Sequence, residues 1–105
     1  MEKIKNPCNK KILVKFGKIK SFINQCKVSG ELEMCNIELS YVPNKYVIEL
    51  DSYRKYFEEG FNEYIEKIAE NVFNHIDKLI KPKKLFVKVY LIEKSLTPWS
   101  VEIKK

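Results

Sequence analysis

The sequence predicts an α+β domain: an antiparallel four-stranded sheet with two helices on one face, in the order ββααββ. Three patterns support this class. Apolar and polar residues alternate before residue 50, a wide apolar stripe at helical spacing covers residues 61–80, and alternation returns after residue 84. The 105 residues are enough for one core, so residues 1–105 are expected to form a single domain.

Two strands are predicted in the first half of the chain. Residues 11–16 alternate, and after Gly17 the residues 18–25 fit either a continued strand or a short helix. The second strand covers residues 31–42, and Pro43-Asn44 ends it. One face of that strand is expected to carry Glu33, Cys35, Ile37, Leu39 and Tyr41. Residues 46–50 are a short extended return or a brief third strand.

Two helices are predicted next. Asp51 and Ser52 are good capping residues, so a short helix is expected to begin there, and Gly60 is expected either to end it or to bend it. The long helix stops at Lys81-Pro82. Its apolar stripe consists of Phe61, Tyr64, Ile65, Ile68, Ala69, Val72, Phe73, Ile76, Leu79 and Ile80. This stripe is interpreted as core, and His75 at its border as a structural residue.

The last two strands follow the long helix. Residues 85–92 alternate and are expected to be buried largely on both faces, and Thr97-Pro98 introduces a final strand through residue 104. Because the helices cover only one face of the sheet, Phe86, Tyr90 and Ile92 are candidates for subunit contacts on the other face.

Composition limits the function classes. The net charge is +6, from 20 basic and 14 acidic residues, which suits nucleic-acid binding but also a lysine-rich composition without any ligand. No apolar run approaches the ~20 residues of a membrane span, and the first residues lack the apolar core of a signal peptide. A cytoplasmic protein without membrane contact is expected. Three cysteines without a Cys-x-x-Cys pair, and one histidine, predict reduced thiols and no metal site.

The stretch over residues 25–33 is the candidate for chemistry. Cys26 precedes a Ser-Gly turn, and Glu33 follows seven residues after the cysteine. A turn that folds back places a nucleophile near a proton donor or acceptor, which is the minimum for covalent catalysis. The alternative is a small buried cysteine and a solvated acid.

This stretch resembles the QueF nitrile reductases and their QueF-like relatives, of the tunnelling (T-fold) superfamily. Residues 26–33, Cys-Lys-Val-Ser-Gly-Glu-Leu-Glu, are similar to the signature Cys-Pro-x-Thr-Gly-Gln-Pro-Asp. The resemblance covers about residues 20–105. Further similar segments, in the family's order, are 40–45 (Ser-Tyr-Val-Pro-Asn-Lys), 49–56 (Glu-Leu-Asp-Ser-Tyr-Arg-Lys-Tyr), 61–63 (Phe-Asn-Glu), 81–84 (Lys-Pro-Lys-Lys) and 96–98 (Leu-Thr-Pro).

The resemblance implies roles for particular residues. Cys26 would attack the nitrile of 7-cyano-7-deazaguanine to give a thioimide, and Glu33 would move protons at the nitrile nitrogen. Glu63 would accept hydrogen bonds from the N–H groups of the base, with Asn62 and Ser52 as further substrate-binding residues. Lys27, where the family usually has proline, is expected to favour the thiolate.

Three departures from the family favour one branch of it. Glu33 is one methylene longer than the family aspartate, and Asn62 replaces a histidine. In the family's NADPH-binding block, Asp51 replaces a lysine, Arg54 stands at the second lysine, and residues 99–101 replace Arg-Gly-Gly. The predicted function is therefore a QueF-like amidinotransferase without cofactor. It would use ammonia to convert 7-cyano-7-deazaguanine in tRNA to archaeosine.

Two alternatives remain from the sequence: an NADPH-dependent 7-cyano-7-deazaguanine reductase, and a non-catalytic T-fold subunit that binds a purine or RNA. DNA and the free base are alternative substrates, and tRNA is the predicted one. The family implies a homo-oligomer, a pentamer or decamer, with sites between subunits.

Overall fold

The computed structural model describes residues 1–92 and 99–105, and the statements below refer to these. The predicted α+β class is confirmed, with two helices and antiparallel sheets. The elements are β1 (Lys3–Lys5), β2 (Val14–Phe16), β3 (Phe22–Gln25), β4 (Leu32–Val42), β5 (Tyr46–Ile48), α1 (Leu50–Lys55), α2 (Ile65–Ile80), β6 (Lys84–Leu91) and β7 (Ser100–Lys104). The predicted turn at Thr97-Pro98 lies outside the described residues.

The main sheet is built on β4, the longest strand. β6 pairs with one side of β4, and β7 pairs with the outer side of β6. On its other side β4 pairs with both β2 and β3, each antiparallel to it. The sheet thus has five strands where four were predicted, because the predicted first strand is divided into two short ones.

A buried asparagine explains this division. The Asn36 side chain accepts a hydrogen bond from the Ile19 N–H at 3.0 Å and donates one to the Ile19 carbonyl at 2.9 Å. The side chain thereby takes the place of backbone partners between β2 and β3. Of the two alternatives for residues 18–25, the short helix is wrong, and the end of the segment is strand β3.

The N-terminal residues form a second, two-stranded sheet. β1 pairs antiparallel with β5, so that Lys3 lies opposite Ile48 and Lys5 opposite Tyr46. The short return predicted over residues 46–50 is therefore a strand, but it belongs to this separate ribbon. β1 was not predicted.

Both helices begin at residues other than those predicted. α1 has Glu49 as its N-cap: the carboxylate accepts hydrogen bonds from the N–H groups of Asp51 at 3.1 Å and Ser52 at 2.6 Å. Asp51 and Ser52 are therefore inside the helix, and their prediction as caps was wrong. α2 begins at Ile65, later than the predicted start at Phe61. It ends at Ile80, and the next residue, Lys81, has a left-handed backbone with φ 45°.

The core lies between α2 and one face of the main sheet. Its largest part comes from Ile37, Leu39, Tyr41, Leu85, Val87, Val89, Ile68, Val72, Ile76 and Ile80, all buried. The part of the stripe within α2 is therefore core, and His75 at its border packs on the Tyr56 ring at 5.1 Å between centroids. The predicted members Phe61 and Tyr64 precede the helix, and Tyr64 is 51% exposed, so its prediction as core was wrong.

The sheet face away from the helices is less buried than predicted. Phe86 and Tyr90 are half-buried there and Ile92 is exposed, so the expectation that β6 is buried largely on both faces was wrong. The reason is that both helices lie on the opposite side of the sheet. Among the described residues, no helix has the length and apolar character required to span a bilayer.

Candidate active site

Cys26 lies in a tight turn that joins β3 to β4. Its N–H donates to the Glu31 carbonyl at 2.8 Å, and its carbonyl accepts from the Gly30 N–H at 2.9 Å. Gly30 has φ +75°, a left-handed conformation that favours glycine. The Ser-Gly pair is therefore what allows the chain to reverse directly after the cysteine.

The turn also changes the acidity of the Cys26 thiol, which is half-exposed. A hydrogen bond from the Ser29 side chain, followed by the backbone N–H groups of Ser29 and Val28, lowers the pKa of Cys26 below its usual value, and the charge of Glu33 opposes this. Burial also opposes the lowering, but the donors outweigh it and favour the thiolate, which is the nucleophilic form. The expectation that Lys27 favours the thiolate is not supported, because its ammonium group pairs with the Glu63 carboxylate.

Glu33 is brought to the same place by strand register. Asn24 on β3 pairs directly with Glu33 on β4, so the two side chains share one face. The Asn24 Nδ2 donates to Glu33 Oε1 at 3.0 Å. Cys26 and Glu33 are close enough for the carboxylate to act electrostatically on the thiol.

Asn24 also holds the segment that carries Glu63. Its Nδ2 donates to the Glu63 carbonyl at 2.7 Å, and its Oδ1 accepts from the Glu63 N–H at 3.0 Å. The Asn24 side chain is completely buried, with 0% exposure. One amide thus fixes the Glu33 carboxylate on one side and both backbone groups of Glu63, its N–H and its carbonyl, on the other.

Backbone contacts run alongside this amide. The Phe61 N–H donates to the Ile23 carbonyl at 2.9 Å, and the Gln25 N–H donates to the Phe61 carbonyl at 2.8 Å. This short parallel bridge brings residues 61–63 next to β3. Sequence reasoning did not identify Asn24. The available signal was a polar residue at the inward position of an alternating strand, two residues before Cys26.

Glu63 is an ionised acceptor at the edge of this group. The Tyr64 N–H donates to its Oε1 at 3.1 Å, and Lys27 Nζ lies 3.4 Å from the same oxygen. The Tyr64 N–H first, then Lys27 and Lys67, lower the pKa of Glu63. A carboxylate held in this state can accept hydrogen bonds from the N–H groups of a ligand.

Of the two remaining predicted residues, Asn62 adjoins this group and Ser52 lies apart from it within one chain. Asn62 is exposed beside Glu63. Ser52 accepts a hydrogen bond from the Glu2 N–H at 2.8 Å and donates one to the Glu49 carbonyl at 2.8 Å, so its partners belong to the N-terminus and to the start of α1. The structure therefore brings together Cys26, Glu33 and Glu63, with Asn24 added.

A half-exposed thiol of lowered pKa beside a carboxylate is a combination that can perform covalent catalysis, and the second carboxylate can orient a ligand. The group therefore has the composition of a site for covalent catalysis by cysteine, at the edge of an α+β domain.

Comparison with known proteins narrows this class. No family model matches the chain. It is 33% identical over 69 residues to the NADPH-dependent 7-cyano-7-deazaguanine reductase of Chlorobaculum parvum, a match that covers 64% of this chain and 60% of that protein. It is 29% identical over 68 residues to the reductase of the same name from Chlorobium phaeobacteroides, covering 63% of this chain and 58% of the relative. The chain thus spans less than two thirds of these relatives.

The fold gives an independent comparison. The structure matches the crystal structure of an archaeosine synthase QueF-Like in the apo form, with a TM-score of 0.77 and 17% sequence identity. The match covers 88% of this chain and 91% of that one. The sequence matches therefore confirm the resemblance that the motifs predicted, and the structural match shows the fold that this resemblance implies.

Proposed function

We propose that this protein is a QueF-like amidinotransferase, which converts the nitrile of 7-cyano-7-deazaguanine in tRNA to the formamidine of archaeosine with ammonia. The observation that carries the proposal is the Cys26 thiol, whose pKa the turn lowers, in one group with Glu33 and Glu63. The sequence relatives support the nitrile base as ligand, and the fold neighbour supports the archaeosine branch.

The reaction begins with thioimide formation. The sulfur of Cys26 forms a bond to the nitrile carbon, one C–N π bond breaks, and its electron pair goes to nitrogen. Glu33 takes the thiol proton and delivers it to that nitrogen. Ammonia then adds to the thioimide carbon, the C–S bond breaks with its electron pair on sulfur, and one proton from the added ammonia passes to that sulfur. The sum is nitrile plus ammonia to formamidine, without oxidant or reductant.

Recognition of the base is assigned to Glu63. Its carboxylate is ionised and reaches the site through the bridge at Phe61, so it can accept hydrogen bonds from the N–H and amino groups of the base. Asn62, exposed next to it, is assigned to the substrate as well. Ser52 lies elsewhere in the same chain, and we assign it to the site of a neighbouring copy in a homo-oligomer of five or ten subunits.

The alternative function is NADPH-dependent reduction, which the names of the sequence relatives favour. Asp51 argues against it in this chain. Its carboxylate pairs with Arg54 on the surface of α1. Arg54 stands at a lysine position of the family's NADPH-binding block, and this pair offsets its positive charge. A carboxylate at that position also repels the phosphates of the cofactor.

The test is the intact mass of the protein after mixing with free 7-cyano-7-deazaguanine. A stable increase by the mass of the base is expected for wild type and for the matched control Cys8→Ala, and no increase for Cys26→Ala. An adduct on another residue would refute the assignment of Cys26. Binding of the base without any adduct would instead favour the third reading, a non-catalytic purine-binding subunit.

A further inference from the structure

The positive charge of this protein is concentrated at its N-terminus. Seven of the 20 basic residues and one of the 14 acidic residues lie within residues 1–20, so this segment carries the whole net charge of +6. Residues 21–105 contain 13 of each and have no net charge. A lysine-rich composition by itself would be spread along the chain, so the concentration calls for a separate explanation.

The structure exposes this charge and leaves it unneutralised. All seven lysines are solvent-exposed: Lys3, Lys5, Lys10, Lys11, Lys15, Lys18 and Lys20. None of the five ion pairs in the described part of the chain uses one of them. We call residues 1–20 the basic segment.

The basic segment also leads to the candidate active site. It passes through the ribbon strand β1 and along β2, and the chain continues into β3, which ends next to Cys26. β2 and β3 lie on the same side of β4, from Val14 opposite Tyr41 to Gln25 opposite Leu32. At about 3.3 Å per strand residue, this edge is roughly 30 Å long. Lys15, Lys18 and Lys20 therefore follow one edge of the sheet toward the nucleophile, and the other four lysines precede them in the ribbon and the connection to β2.

Aromatic rings accompany the lysines. The Lys3 ammonium lies 4.1 Å from the centroid of the Tyr46 ring, which is 37% exposed. Lys18 lies 5.5 Å from the Tyr90 ring on the open face of the sheet. Surfaces that hold single-stranded nucleic acid combine cations for the backbone with aromatic rings for the bases.

We propose that the basic segment is the surface that holds the RNA backbone while the modified base is presented to Cys26. This inference rests on the proposed function, because it names the surface that binds the tRNA in which the modified base lies. A membrane surface is the other polyanion to consider. The segment forms short strands and connections, whereas binding to a bilayer surface typically uses an amphipathic helix.

The experiment measures the dissociation constant of unmodified tRNA as a function of salt concentration. The test variant carries Lys→Gln at residues 3, 5, 10 and 11. The matched control carries Lys→Gln at four exposed lysines outside the segment, at residues 78, 83, 84 and 104, and so loses the same charge. Each lost phosphate contact lowers the slope of log K against log salt by about 0.7–0.9.

For the test variant, the magnitude of the slope of log K against log salt is expected to fall by up to about 3. The variant should also bind RNA at least tenfold more weakly at low salt, while the control retains the wild-type slope. An equal loss in both variants, or wild-type binding by the test variant, would overturn the proposal. So would binding to anionic phosphatidylserine vesicles that equals tRNA binding and depends on the same lysines.

The outcome is separable from that of the proposed function. The test variant should still form the Cys26 adduct with the free base, since the basic segment does not contact the base in this proposal. An adduct with an unchanged salt slope refutes the RNA surface alone. A reduced slope without any adduct in wild type refutes the chemistry alone. Thermal unfolding of each variant shows that its fold is intact.

Discussion

Replacing Asn24 by alanine tests the centre of the site. The change removes three hydrogen bonds and leaves the N–H and the carbonyl of Glu63 without their partner. A buried polar group that loses its partner costs about 1–3 kcal/mol, and water admitted by the smaller side chain recovers part of this. We expect the free energy of unfolding to fall by about 2–4 kcal/mol, measured by urea denaturation with an unchanged m-value.

The same change should slow adduct formation at Cys26, because Glu33 loses the amide that fixes it. Asn24→Asp is the matched control: it keeps an acceptor for the Glu63 N–H but places a carboxylate against Glu33. Two carboxylates in contact repel each other, so Asn24→Asp should destabilise the protein at least as much as Asn24→Ala at neutral pH. A loss below about 0.5 kcal/mol for Asn24→Ala, with wild-type adduct rates, would refute the reasoning.

Three further predictions follow from individual contacts. Ser29→Ala should raise the pKa of Cys26, because it removes the strongest donor to the thiolate. Only the thiolate is alkylated, so the rate of reaction with iodoacetamide should rise at higher pH than in wild type, with Cys26→Ala as the blank. Gly60→Ala places a Cβ 2.3 Å from the Ile23 carbonyl oxygen and should lower the melting temperature more than Gly30→Ala, which has equally positive φ but open space; equal losses would contradict this. NADPH absorbance should not decrease in the presence of the nitrile base, and a decrease that depends on Cys26 would restore the reductase reading.

The parts of the site that were predictable from the sequence depend on local signals. The Ser-Gly turn after Cys26 and the alternation that follows it are sufficient to place the cysteine near Glu33, because both patterns concern residues less than ten positions apart. Strand β4 and the stripe of α2 were predictable for the same reason. In each case the period of the side chains determines which face is buried.

The features that escaped prediction depend on contacts between distant residues. The partners of Asn24 are 9 and 39 positions away, and the bridge to Phe61 exists only after the chain has folded. The start of α1 was wrong because Glu49 is an uncommon N-cap, chosen here over the more favourable Asp51 and Ser52. Asn36 divides the first strand through a contact 17 residues away, which no local pattern indicates.

The four residues of β3 connect the stability of the fold to the geometry of the site. Phe22 anchors the strand in the core, and Asn24, on the same face, takes the place of a second apolar residue. The Gln25 N–H then bonds to Phe61, and the turn with Cys26 begins at the next residue. Cys26 follows β3 and Glu63 follows Phe61, so the backbone contact between β3 and Phe61 holds both residues in place. Any substitution that moves β3 should change the unfolding free energy and the position of Cys26 relative to Glu63 together, because the same hydrogen bonds determine both.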